Sequence, residues 1–401
     1  MPADVVVDGL TCVPWVYRPG DQVLERLEWL TDVIPAYDGS EQRIRLRGSP
    51  RRAFEGEFLL TGRDRRTAEN LLHNAQARDW AVPVWMDAQQ LTVGASSGAD
   101  VLAVADTTTR DFHVGGAVYI GTGPDAFEVG EVEIMTSSSI TLVDPLVSGW
   151  AAGAEVLPLR AARMPADFRL SRFDFDTIYG RVRFECIGGG SGVTGADPGP
   201  TYRSAPVLTL RPNWTEDVDA TLLRKLAALD AGTGPLFYDD EAGGPIRQQS
   251  HRWLLSGRAE IHAFRQWLYA RQGRLVDFWL PSWAADLVLV ASAGSGATQI
   301  DVEACGYTDR VAQDIGRRDI RIELASGSSI TRRITDSEVV SASVERLTLD
   351  ATLGTAIAPA DVVRISFLDR VRLDADAAEI AWWTWDTAEA RLMTRGSRND
   401  L

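Results

Sequence analysis

Apolar and polar residues alternate in short runs along most of the chain, and Gly, Ser, Thr and Asp turns separate the runs. Ala117-Val-Tyr-Ile120, Glu131-Val-Glu-Ile134 and Ile320-Arg-Ile-Glu-Leu324 have the period of two expected of strands with one apolar face. Two stretches carry a helical period instead. Ala68, Leu71, Leu72 and Ala75 share one face in the first, and Ile261, Phe264, Trp267 and Leu268 share one in the second. The pattern predicts a mainly β (α+β) chain.

The segment Cys186-Ile-Gly-Gly-Gly-Ser-Gly-Val-Thr-Gly-Ala-Asp-Pro-Gly-Pro200 interrupts this pattern near the centre of the 401 residues. Six glycines and two prolines there disfavour both helix and ladder strand. A break at the midpoint prompts a search for internal repetition. Leu59-Leu-Thr-Gly62-Arg63 recurs as Leu254-Leu-Ser-Gly257-Arg258, 195 residues on. A helical stretch follows both. Val82-Pro-Val-Trp85 then matches Val276-Asp-Phe-Trp279, 194 residues on, and Leu91-Thr-Val93 matches Leu287-Val-Leu289. Ser97-Gly-Ala99 pairs with Ser295-Gly-Ala297, Ile140-Thr-Leu142 with Leu347-Thr-Leu349, and Ala154-Glu-Val156 with Ala360-Asp-Val362. The blocks keep their order while the offset grows to 206–207, so the second copy holds about a dozen extra residues.

Two tandem similar halves are therefore expected, each a β-sandwich or barrel-like base domain with one helix and an inserted small β domain. The first base domain is assigned to 1–87 plus 163–187, with its insertion at 88–162. A Gly/Pro linker at 188–200 leads to a second base domain at 201–283 plus 371–401, with its insertion at 284–370. Arg181-Val-Arg-Phe-Glu185 and Ala381-Trp-Trp-Thr-Trp385 are read as the return strands that close the halves. The length agrees, since one core stops growing near roughly 250–300 residues.

Charge narrows the partners. With 41 basic against 56 acidic residues, the net charge is −15, a poor basis for wrapping nucleic acid. All basic residues but Lys225 are arginines, which favour fixed, forked salt bridges. No apolar run approaches the ~20 residues of a membrane helix. Cys12, Cys186 and Cys305 are odd in number and far apart, which indicates neither a disulfide framework nor a zinc module. The start, Met1-Pro-Ala-Asp-Val-Val-Val-Asp, lacks the basic and apolar regions of a signal peptide, so the chain is expected to stay in the reducing compartment where it is made.

Candidate chemistry is sparse. His73, His113, His251 and His262 form no His-Glu-x-x-His pair and no close His/Cys cluster. Gly189-Gly-Ser191-Gly-Val193 lacks the second flanking glycine of a nucleophile elbow and reads as linker. Lys225 follows Leu-Leu-Arg, not the glycine-rich turn of a phosphate loop. Asp174 with Asp176, and Asp374 with Asp376, are spaced two apart before each half's last strand, as a glycosidase or calcium site requires; a solvated strand face explains them more simply. Asn213-Trp-Thr215 matches a glycosylation acceptor, which means nothing without a signal peptide. Thirteen tryptophans stand out, with Trp382, Trp383 and Trp385 in one cluster and Trp279 and Trp283 framing the second insertion. They read better as core or interface anchors than as a sugar platform. No catalytic, cofactor-binding or metal-ligating residue is assigned, and no cofactor is expected.

The blocks Glu28-Trp-Leu-Thr-Asp-Val-Ile34, Tyr37-Asp-Gly-Ser-Glu-Gln-Arg-Ile-Arg45-Leu and Pro50-Arg-Arg-Ala-Phe54-Glu, followed by the helix and Val82-Pro-Val-Trp85, resemble tail proteins of long, non-contractile-tailed bacteriophages. They are similar to the distal tail protein group and its relatives in gene transfer agents, covering about residues 28–87 best. The resemblance implies a β base domain with one helix that builds rings at the tail end. The simpler members carry one such base, so this chain departs from them by its repeat.

On this resemblance the chain is expected to be a non-enzymatic structural protein of the virion tail, assembled in the host bacterial cytoplasm. Its partners would be itself, as a trimeric or hexameric ring, together with the tail tube protein and the tip, hub and fibre proteins; DNA would pass only as cargo. A carbohydrate-binding receptor module is the first alternative, with the insertions and their tryptophans as its surface. A cell-wall-degrading enzyme using the paired aspartates is the second.

Overall fold

The computed structural model describes residues 4–167, 169–188, 191–214, 218–311 and 316–398. Gly189 and Gly190 of the linker, Thr215 of the Asn-Trp-Thr match and both chain ends lie outside them. The chain is mainly β. Its helices, among the described residues, are α1 (Gly62–Ala75), α2 (Arg258–Arg271) and the single turn Tyr307–Arg310.

Both long helices begin where a strand must turn sharply back over the sheet. Arg51–Thr61 runs into α1 through Gly62 at φ +57°, and Ile246–Ser256 runs into α2 through Gly257 at φ +90°. A left-handed backbone at that corner favours glycine. Gly62 N–H donates to the carbonyl of Asp176 (3.2 Å), and Gly257 N–H to that of Asp386 (2.7 Å). Ala68, Leu71, Leu72 and Ala75 of α1 are buried, as are Ile261, Phe264, Trp267 and Leu268 of α2. The helical periodicity thus identifies both core faces.

In the first half Arg51–Thr61 lies between Val23–Glu28 and Thr177–Cys186, the latter continuing through Glu155–Arg163 to Trp80–Pro83. Leu10–Pro14 adds to Trp80–Pro83 in parallel. In the second half Ile246–Ser256 lies between Ala220–Leu223 and Thr387–Gly396, which continues through Val362–Leu373 to Phe278–Pro281. Val207 bridges Trp279 in parallel. The two groups of strands join at one seam, where Ala377–Trp382 pairs with Thr387–Gly396 on one side and Val23–Glu28 on the other.

One apolar core runs beneath both groups, holding Trp15, Phe54, Trp80 and Phe184 together with Trp253, Phe264, Trp267 and Phe278. The tryptophans interlock edge to face: Trp15 meets Phe58 at 5.3 Å and Trp267 meets Phe278 at 5.3 Å, an arrangement that aromatic quadrupoles favour. Two smaller cores lie apart from it, one from Leu91 to Val156 and one from Leu287 to Phe367. Glu155–Arg163 and Val362–Leu373 each run from a small core into the large one. They link each small core to the large one.

Four details depart from the sequence reading. The closing strand of the second half is Thr387–Gly396, while Trp383–Asp386 form a turn held by Trp383 N–H on the Thr387 carbonyl (3.0 Å) and Thr384 Oγ1 on Asp386 (2.6 Å). The aromatics of that run imitate a strand, but the Thr/Asp pair supplies turn chemistry. Pro83 faces Leu159 and Pro281 faces Leu368, so Trp85 and Trp283 each stand two residues past the paired proline, where the sequence reading matched Trp85 with Trp279. The loop after α2 is longer than that after α1, and passes through left-handed Gln272 and Gly273. Ile134 points outward at 55 % exposure because a bulge between Val132 and Ile134 slips the pairing. All six residues of Asp319–Leu324 are buried, its polar face being neutralised by Asp319–Arg333 and Glu323–Arg364 pairs (2.7 and 2.8 Å).

Candidate interaction site at the seam of the sheet

Glu25 projects from Val23–Glu28 into the core beside the seam. Its Oε1 accepts from Arg52 Nε (2.8 Å) and Arg265 Nη2 (3.2 Å), and its Oε2 from Trp382 Nε1 (3.0 Å). Arg265 reaches on from α2 to Asp87 Oδ2 (3.2 Å), which also receives the Asp111 N–H (3.1 Å). Arg258, at the start of α2, pairs with the other Asp87 oxygen. Asp111 in turn binds Arg52, Arg160 (2.8 Å) and the Gly192 N–H (2.6 Å). Glu25, Asp87, Asp111 and Arg265 are all at 0 % exposure.

Three carboxylates and four guanidinium groups therefore share one buried compartment to which both halves, the first small module and the linker contribute. Burial raises the pKa of Asp111 and Asp87, but Arg160 and Arg52 beside the former and Arg265 and Arg258 beside the latter outweigh it, leaving both pKa values lowered. Burial likewise lowers Arg265, and Glu25 with Asp87 overturn that effect and raise it. The network stays charged, and its chemistry is that of a clamp: removing one member strands a buried charge at about 3–5 kcal/mol. The linker is part of it, since Val193 is buried and Ala196 N–H bonds the Gln266 carbonyl (3.1 Å) on α2.

A β-arm completes the seam. The hairpin Thr31–Pro35/Glu41–Arg45 lies across the second half, where Arg372 forks onto Glu41 (2.7 and 2.9 Å). Asp376 accepts the Thr31 N–H (2.9 Å), and Arg274 donates to the Thr31 carbonyl (2.6 Å). On the outer face of the seam Arg26 pairs with Glu379 at 2.8 Å. The turn carrying Trp383 and Trp385 lines a shallow pocket shared with Arg18, Pro19, Val23, Trp85 and Met86, and Arg258 ties Met86 and Trp385 carbonyls together (3.1 and 3.0 Å).

The residues weighed for chemistry lie apart from this network or serve the packing. Asp176 meets Arg65 and Arg66 (3.6 and 3.4 Å), while Asp174 caps the Asp176 N–H (2.8 Å). Burial raises Asp376, yet the N–H groups of Arg274 and Thr31 prevail and its pKa is lowered. Asp374 accepts from Gln248 (2.6 Å). Asp174 and Asp176 sit in a turn, whereas Asp374 and Asp376 precede Ala377–Trp382, so the two pairs do not occupy matching places. His251 is buried against Trp253, and burial with the nearby Arg247 pushes its pKa down to about 4. Burial also lowers His113 and His262. His73 lies in the last turn of α1. Ser191 Oγ reaches Asp111 and Tyr269 (both 3.4 Å), and Lys225 pairs with Glu241 (2.9 Å). Among the described residues no three His, Cys, Asp or Glu side chains are grouped to hold a metal ion.

Trp279, Trp283 and Trp382 are buried, while Trp383 and Trp385 are 56 % and 55 % exposed. Trp150 is the single tryptophan between 88 and 162, half-buried with its N–H on Glu128 (3.3 Å), and 284–370 contains none. The sugar-platform alternative placed its surface there. The seam residues themselves escaped sequence reading, although Arg265 stands on the apolar face of α2 beside Ile261 and Leu268, a polar residue where the period calls for an apolar one. No family model matches the chain, and no curated protein matches its sequence.

Proposed function

We propose that the chain is a structural protein of the bacteriophage tail end: a ring or hub scaffold of distal tail type that joins the tail tube to tip or fibre proteins and performs no catalysis. It is one β building block encoded twice, each copy a sandwich-like base domain with one helix and an inserted small β domain. The agreement of strand registers between the halves carries this reading. Thr61 faces Thr177 and Ser256 faces Thr387; Thr31 faces Arg45 and Leu226 faces Asp240; Ala117 faces Glu131 and Asp319 faces Arg333. A bulge interrupts Val132–Ile134 against its neighbour, and another interrupts Ile334–Asp336. Register is set residue by residue through burial and turns, so unrelated β domains have no reason to share it.

Three chains then present six nearly equivalent bases, which adapts a sixfold tail tube to a threefold tip. The net charge of −15 suits a lumen along which DNA slides without sticking. Antibody labelling of intact particles by electron microscopy tests the location. Decoration at the end of the tail distal to the head is expected, and particles that carry none of the protein contradict the reading.

A further inference from the structure

The seam uses two strands whose counterparts are each paired on one edge only among the described residues. Ala220–Leu223 lies against Ile246–Ser256 as Val23–Glu28 lies against Arg51–Thr61, with Ala220 facing Gln249 where Glu25 faces Phe54. Ser171–Arg172 lies against Thr177–Cys186 as Ala377–Trp382 lies against Thr387–Gly396, with Ser171 facing Tyr179 where Ala381 faces Glu389. Yet the far edges of Ala220–Leu223 and Ser171–Arg172 pair with no strand among the described residues. Unpaired edges of this kind recruit strands.

The arm tells the same story. Leu226–Leu229/Phe237–Asp240 is the counterpart of Thr31–Pro35/Glu41–Arg45 by register, but the first arm lies across the second half, whereas the second meets only the first arm's turn at its base, where Asp239 accepts from the Tyr37 hydroxyl (2.9 Å) and Lys225 donates to the Tyr37 carbonyl (3.1 Å), among the described residues. It holds Leu226, Leu229, Leu236, Phe237 and Tyr238 at 48–62 % exposure. In the turn matching Trp383 and Trp385, Phe173 and Phe175 are 80 % and 91 % exposed. Apolar surface thus concentrates on the pieces left over from the seam.

We infer that a second copy of this chain covers them, head to tail, by repeating the internal seam between molecules. This rests on the reading of one block encoded twice. Asp219, Thr221 and Leu223 of one copy face Ser171, Arg169 and Asp167 of the next, as Leu24, Arg26 and Glu28 face Ala381, Glu379 and Ala377 within the chain. The second arm seats on the next copy's Glu155–Arg163, the counterpart of the strand that carries Arg372. Each copy offers one donor edge and one acceptor edge, so the contact is heterologous and propagates until it closes.

Paired cysteines test this register. Facing residues of antiparallel strands have Cα atoms about 4.5–5.5 Å apart, within disulfide reach. The full chain with Thr221→Cys and Arg169→Cys, in a Cys305→Ser background, is oxidised mildly and run on a denaturing gel, with its native mass measured in parallel. A ladder of covalent oligomers is expected, together with at least a tenfold weaker ladder from Thr221→Cys with Leu170→Cys, whose partner points to the opposite face. If the protein assembles by mass but the in-register pair does not link, the strand-to-strand junction is wrong and the ring reading stands. If it remains a single copy at every concentration tested, both fall.

Discussion

Glu25 and Arg265 stand 240 positions apart in the sequence and meet at 3.2 Å with no exposed surface on either side chain. One belongs to the strand at the seam and the other to the helix of the opposite half. Their contact, extended through Asp87 and Arg52, fixes the angle between the two groups of strands. In the ring proposed above, such a fixed angle would matter because any freedom there multiplies around the axis.

Truncating Arg265 to Ala leaves Glu25 and Asp87 each short of a buried partner. We expect a loss of about 3–5 kcal/mol in unfolding free energy. Arg26→Ala removes the exposed Arg26–Glu379 pair on the other face of the same seam and should cost less than about 1 kcal/mol. Urea denaturation of both variants checks the contrast; equal losses would contradict the assignment of the clamp to the buried face.

His251 gives the stability a pH slope. Its folded pKa, about 4, lies below the ordinary histidine value near 6.5, so between these limits the unfolded chain binds more protons. Its contribution is therefore complete above about pH 6.5 and drains away as the pH falls toward 4, by about 3 kcal/mol. Replacing His251 by Phe should flatten this window in melting curves taken from pH 7 to 4.5.

Below that window the seam carboxylates take over. Asp87 and Asp111 are held below the usual carboxylate value, so their stabilisation is present above about pH 4 and is lost as the pH drops through their folded values. An acid titration followed by tryptophan fluorescence should show the Arg265→Ala variant unfolding at higher pH than the parent.

The linker is packed, and one glycine in it offers a test. A Cβ on Gly192 would sit 2.4 Å from the Phe112 carbonyl oxygen and 3.0 Å from the Asp111 carbonyl carbon. Gly192→Ala should cost about 1–3 kcal/mol by overpacking. Gly294, in open space within a loop, should accept Ala with little change. Thermal melts of the two variants compare a clamp with a tether.

What the sequence disclosed follows the strength of its signals. The helical faces of α1 and α2 read cleanly because four buried positions in each keep the 3.6-residue period. The repeated Leu-Leu-Thr-Gly-Arg and Leu-Leu-Ser-Gly-Arg blocks are visible because one strand-to-helix corner needs glycine. Trp383 and Trp385 misled, since an aromatic run looks like a strand until Thr384 and Asp386 close a turn within it. The seam itself stayed hidden. Glu25, Asp87 and Asp111 look like solvated carboxylates in a chain that has many, and only the tertiary fold brings four arginines to them.

Counting chains in the native assembly bears most directly on the whole account. Cryo-electron microscopy of the purified protein, with native mass spectrometry on the same sample, should find three molecules arranged as six like lobes around an axis. A solitary molecule at all concentrations, or lobes of two unlike shapes, would contradict it.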